Sequence, residues 1–154
     1  PSTPSSAASD VYKRQAVVRV TTPPDRISQT MGPAFEAAFA ALGAAGVAPA
    51  GPACCKYTAF SEDSVTFEAG VPVAAPFAGD GEVVGGEIGG CTAAVGLHVG
   101  PYDRLAETYG EMQAWLEGQG RKPATVMWES YLNDPDTTAP EELRTEIYWP
   151  PEER

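Results

Sequence analysis

The feature that most constrains this chain is a strand–helix–strand–strand order that occurs twice. In the first half, 16–21 is strand-like, with Val17, Val18 and Val20. A helix is predicted over 26–44, because Met31, Phe35, Ala38 and Leu42 recur at helical spacing. Gly43 and Gly46 stop it, and Pro49 prevents its resumption. Strands are expected over 53–60 and 64–71. The second half offers a strand over 90–99, a helix over 102–118, and strands over 125–132 and 144–149. Tyr102, Leu105, Tyr109, Met112 and Leu116 form one apolar stripe on that second helix.

The halves align with gaps. An offset of 74 places Leu42 on Leu116, Gly46 on Gly120, Pro49 on Pro123 and Tyr57 on Tyr131. An offset of 78 places Glu68 on Glu146 and Pro72 on Pro150, and Gly32-Pro33 echoes Gly100-Pro101 at an offset of 68. The first alignment sets Glu129 opposite Cys55 and Trp128 opposite Cys54, so a carboxylate and a ring stand in one half only. Residues 74–89, rich in Gly and Ala with Pro76, Asp80, Glu82 and Glu87, read as the connection between modules or a loose hairpin. The expected domain runs over 16–150. Residues 1–15 show no helix or strand period and read as a tail, part of which resembles translated adapter sequence.

Composition narrows the function. At 154 residues, 43% hydrophobic and 20% charged, the chain is expected to be one globular domain. A formal net charge of -11 disfavours direct nucleic-acid binding, which needs clustered Lys and Arg. Acidity of this kind usually serves solubility, and it also suits a cationic ligand. No apolar run approaches the ~20 residues that span a membrane. Cys54, Cys55 and Cys91 are an odd number and read as reduced thiols of a cytoplasmic protein. With no C-x-x-C and a lone His98, no metal set is expected. Nucleotide-binding glycine loops and a G-x-S-x-G elbow do not occur with the flanks they need, so no cofactor is expected.

Chemistry concentrates in the last third. Within Trp128-Glu129-Ser130-Tyr131-Leu132-Asn133-Asp134-Pro135, strand alternation puts Glu129 on one face with Met127 and Tyr131. Either that face is interior and Glu129 stands among rings, or it faces solvent and Trp128 and Ser130 point inward. A carboxylate among rings is costly to bury without a partner, so a pocket that keeps one expects a cation or uses the group as an acid or base. Glu146 shares a face with Tyr148 and is a second candidate acid, unless it serves as a cross-strand partner of Arg144 or Arg104. Tyr102 and Trp115 read as core or cleft wall, and His98 as structural though able to titrate near neutrality.

The order H-x-G-x-Y from His98, a helix, W-E-x-Y-x-N-D-P from Trp128 and T-E-I-x-x-P from Thr145 resembles the GyrI-like small-molecule-binding superfamily. That group includes effector-binding domains of AraC-type and MerR-type regulators. The resemblance is close over 96–150 and looser back to residue 16. It implies an α+β fold of duplicated modules: a curved antiparallel sheet, two main helices on one side and a ligand cleft between modules. It also implies that Glu129 and Glu146 face the cleft, with Tyr131 and Tyr148 near them; Tyr102, Trp115, Met127 and His98 complete the candidate ligand-binding residues.

Three functions follow as expectations. The first is a stand-alone binder that senses or sequesters a hydrophobic, cationic small molecule, since no helix-turn-helix precedes the domain in this sequence. The second is a hydrolase of the same fold that opens ring-strained alkylating compounds, with Glu129, Glu146 and Tyr131 as catalytic groups. The third is a protein partner, either a transcription regulator or DNA gyrase, as for the family's namesake inhibitor.

Overall fold

The computed structural model describes residues 5–6 and 12–152, with side chains described from Lys13 onward. Eight strands and two α-helices follow in the order β1 (Ser5–Ser6), β2 (Tyr12–Thr22), α1 (Ile27–Ala45), β3 (Cys54–Phe60), β4 (Val65–Val73), β5 (Val83–Gly89), β6 (Ala94–Val99), α2 (Leu105–Gly118), β7 (Met127–Tyr131) and β8 (Arg144–Trp149). All strand pairings are antiparallel, and the spatial order is β1-β6-β8-β7-β3-β4-β2-β5. The sheet is open, with β1 and β5 at its edges.

The two modules are legible in this order. β3-β4-β2 of the first mirrors β7-β8-β6 of the second about the β3–β7 seam. Each helix is entered through a short 3-10 turn, Pro24–Arg26 before α1 and Tyr102–Arg104 before α2. At an offset of 78, Pro23-Pro24-Asp25-Arg26 matches Pro101-Tyr102-Asp103-Arg104. This replaces the expected echo of Gly32-Pro33, because Pro33 lies inside α1. The same offset sets Met31 opposite Tyr109.

Both helices lie on one face. α1 packs over β2 and β4 and α2 over β6, so the central strands β3 and β7 are left in the gap between helices. Under α1 the core is small on the helix side and larger on the sheet side: Ala34, Ala38, Ala41 and Leu42 against Val18, Phe67, Ala69 and Val71. α1 ends at Gly46, whose φ of 69° provides the left-handed cap, with the Val47 N–H donating to the Leu42 carbonyl at 2.9 Å. Under α2, Met112 and Leu116 meet Ala94 and Ile147. Gly96 of β6 permits this approach, since a Cβ there would lie 2.8 Å from the Met112 sulfur. On the other face, Ile88 of edge strand β5 reaches Cys54 and Trp128 of the central strands, so the sheet curls toward that side.

Two boundaries differ from the sequence reading. β5 makes a regular strand of the expected loose connection, pairing with β2 from Val83 to Gly89. β2 begins at Tyr12, so part of the expected tail is strand: Arg14 and Gln15 pair with both β4 and β5, and Gln15 is buried. A polar, period-poor stretch becomes strand here because neighbours on both sides supply its backbone partners. Residues 1–4 and 7–11 of that tail lie outside the described residues. Truncation through Gln15 is expected to lower unfolding free energy by about 2 kcal/mol or more. A urea midpoint equal to that of the full chain would show that these residues contribute nothing.

Candidate functional site

Strand register fixes which side chains meet. Glu129 of β7 pairs with Cys55 of β3 and Ile147 of β8, and both belong to the helix-facing core. Met127, Glu129 and Tyr131 therefore project into the gap between α1 and α2. Glu129 is buried, with 3% of its surface exposed. Each of its carboxylate oxygens accepts from a tyrosine: Tyr131 donates to Oε1 at 2.6 Å, and Tyr109 of α2 donates to Oε2.

Those tyrosines are held by further rings. Tyr131 meets Phe35 of α1 edge-on, centroids 6.1 Å apart, and Tyr102 of the turn before α2 at 5.7 Å. Its hydroxyl lies 3.8 Å from the Met31 sulfur. Tyr109 meets Trp149 edge-on at 5.7 Å. Tyr57 adds a half-buried phenol from β3, packed on Phe67. The result is an aromatic cage, contributed by both modules, with one carboxylate at its base. Among the described residues, no Lys or Arg pairs with Glu129; ion pairs elsewhere join Arg19 to Glu68 and Arg104 to Glu107.

Burial pushes the Glu129 carboxyl above the ordinary range, against the opposing effect of the Tyr109 and Tyr131 hydroxyls. Burial first, and then the Glu129 charge, push both phenols upward, so they remain donors. The same two causes raise the Cys55 thiol, which makes it a poor nucleophile.

The expected residues divide by location. Glu129, Tyr131 and Tyr102 come together, with Met127 on the same face of β7. Glu146 does not join them. Its cross-strand partner is Ser130, so it stands on the opposite face of the sheet, where the Tyr148 hydroxyl donates to it and the Tyr148 ring stacks on Trp128 at 5.5 Å. The two glutamates thus form no catalytic pair, because their strands pair in a register that puts them on opposite pleats. Nor does either basic residue considered for Glu146 hold it: Arg104 is engaged by Glu107. Trp115 lines a separate depression of about 260 Å³ with Ala93, Leu116 and Arg121.

His98 is a structural tie. The Pro101 carbonyl accepts from Nε2 at 3.0 Å, leaving Nδ1 to accept from the Thr108 hydroxyl at 2.7 Å. It joins the end of β6 to the first turns of α2 and so positions Tyr109. Cage members Tyr109, Phe35, Met31, Tyr57 and Trp149 were not singled out as site residues by the sequence. Tyr109 sat in an apolar stripe and read as core; the corrected repeat, which sets it opposite Met31, is the signal that points to the gap. Among the described residues, no cluster of three or more His, Cys, Asp or Glu is arranged to hold a metal ion. Among the described residues, no helix is long and apolar enough to cross a membrane.

The chain belongs to the GyrI-like small molecule binding domain family, whose profile matches residues 13–151. No curated protein matches it. Solved structures share the fold. The C-terminal domain of EcmrR is 19% identical with a TM-score of 0.74, the match covering 100% of this chain and 98% of that one. A hydrolase from Listeria innocua is 17% identical with a TM-score of 0.69, covering 97% and 92%. SAV2435, solved bound to tetraphenylphosphonium, is 10% identical with a TM-score of 0.62, covering 99% and 94%.

Two outcomes are expected. Thr108→Val removes the hydroxyl from buried His98 and should lower stability by about 1–3 kcal/mol in urea denaturation. Because the folded Glu129 carboxyl holds its proton more tightly than the unfolded one, its contribution to stability is complete below the ordinary carboxylate range. It is lost as pH rises through the raised value. Glu129→Gln should therefore flatten the decline of stability over that window, as read from melting curves across pH.

Proposed function

We propose that this domain binds hydrophobic organic cations in the tyrosine cage, with Glu129 as their counter-charge, and so senses or sequesters them. The observation that carries the reading is a buried carboxylate held by two phenol hydroxyls with no basic side chain paired to it. In a low-dielectric site an ionised carboxylate is costly, and a cation entering the cage would relieve that cost. The rings around it attract cations through their faces, at up to about 2 kcal/mol each when desolvated. A relative of the same fold is known bound to tetraphenylphosphonium, a cation of this type.

The protonation state supplies the test. A cation pairs with ionised Glu129, so affinity should weaken as pH falls through the raised pKa, and binding near that pKa should release a proton. Calorimetric titration with tetraphenylphosphonium in buffers of different ionisation enthalpy measures that release directly. Glu129→Gln preserves shape and should weaken cation binding by about 1–3 kcal/mol while sparing neutral analogues of the same size. Cation affinity that is flat with pH and unchanged in Glu129→Gln would defeat the reading.

A second reading has one observation in its favour. A carboxyl with a raised pKa, clamped by two phenols in an apolar cage, has the properties of a general acid. Under that reading Glu129 acts with Tyr109 or Tyr131, and without Glu146, on a strained, electrophilic substrate. Turnover then falls about 100-fold or more in Glu129→Gln while binding of the substrate persists. Product formation over time with ring-strained alkylators separates this from simple binding.

A further inference from the structure

On the opposite face of the sheet lies a second cavity of about 660 Å³, lined by residues that include Lys56, Cys91, Arg121, Val126, Trp128 and Pro150. Its charge is the reverse of the protein's. The chain carries 21 acidic and 10 basic residues, yet two half-buried cations stand on this one wall. Lys56 is the cross-strand neighbour of Trp128 and donates to the Glu87 carbonyl at 3.2 Å. Arg121 follows α2 and donates to the Glu152 carbonyl at 3.0 Å. Both are anchored through backbone oxygens, and among the described residues neither is ion-paired with a carboxylate. Among the described residues, Glu152 is the one acid on the wall, and it too forms no ion pair. A lysine has three donors and an arginine five, so each keeps donors free.

We infer that this cavity is a second ligand site, distinct from the Glu129 cage, that takes an amphiphilic organic anion: a carboxylate or sulfonate held by Lys56 and Arg121, with its apolar body against Trp128, Val126 and Pro150. Two cations on the wall of one cavity, neither ion-paired with a carboxylate among the described residues, offer positive charge to an anion that enters it. The apolar wall selects an anion with a hydrophobic body over an inorganic one. The volume is within the range of small-molecule sites. The sheet separates the two sites, so one domain would hold ligands of opposite charge on opposite faces.

Cys91 supplies a local reporter, because it is half-buried on the cavity wall while Cys54 and Cys55 are fully buried. The experiment titrates the whole chain with anilinonaphthalene sulfonate, reading dye fluorescence, and measures the rate of Cys91 alkylation by neutral N-ethylmaleimide. Saturable binding is expected, weakened by added salt, with alkylation slowed several-fold by bound dye. Lys56→Met and Arg121→Gln should each weaken binding about tenfold, whereas Glu129→Gln and saturating tetraphenylphosphonium should leave it intact. Equal affinity in wild type and the charge variants, or displacement of the dye by tetraphenylphosphonium, overturns the assignment. If a charge variant melts early, the salt dependence and the Cys91 protection of the wild-type protein decide: binding indifferent to salt, or alkylation unaffected by dye, also overturns it.

Discussion

The organisation of the helix-facing side depends on one burial: the Glu129 carboxylate beneath two helices. Unaided, such a group would be pushed toward its neutral form or toward solvent. The chain keeps it by supplying one phenol to each oxygen, Tyr131 from its own strand and Tyr109 from α2. The Tyr109 hydrogen bond requires α2 to lie over this part of the sheet, where Met112 and Leu116 also pack on Ala94 and Ile147. Placement in turn rests on Gly96, which lets Met112 approach β6, and on His98, which fastens the end of β6 to Pro101 and Thr108. The carboxylate, the packing glycine and the histidine tie thus act on the position of one helix.

The two faces of the sheet differ in kind. The helix face has alanines beneath α1 and rings in the gap, so its interior is apolar except where Glu129 and its donors stand. The other face is curled, with Ile88, Cys54 and Trp128 packed together and polar groups such as Glu146 and Lys56 beside them. Because side chains alternate across a strand, neighbours in sequence serve different faces: Trp128 and Glu129 are adjacent and separated by the full thickness of the sheet.

That alternation decides how much could be read from the sequence. The two modules, both helices and the face shared by Met127, Glu129 and Tyr131 follow from apolar spacing and period alone. The β8 boundaries were also legible, since Arg144–Trp149 alternates between turn-rich flanks. Cross-strand register was not, because it depends on which strand lies beside which. Glu146 consequently looked like a neighbour of Glu129 until the pairing of Ser130 with Glu146 placed it on the other pleat. β5 was obscured by its glycines, and residues 12–15 by their polarity; both are strand through partners distant in sequence. Tyr109 was legible as apolar and illegible as a ligand to Glu129, because a phenol serves a core and a cage equally well.

The seam between β3 and β7 carries a consequence for symmetry. The offset of 74 that relates these strands takes Cys55 to Glu129, and the register pairs Cys55 with Glu129. The position is its own image: the pseudo-two-fold axis passes between these two residues. In a dimer of identical modules this spot would hold the same residue twice, side by side at roughly 5 Å. Two glutamates there would repel and share a proton, and two cysteines would leave the cage without charge. A lone carboxylate at the centre requires halves that differ in sequence, and a single chain that holds both halves can diverge in this way. Divergence of the two halves is therefore what permits a single-charged site at the axis, and the cysteine facing Glu129 is as much a part of that solution as the acid itself.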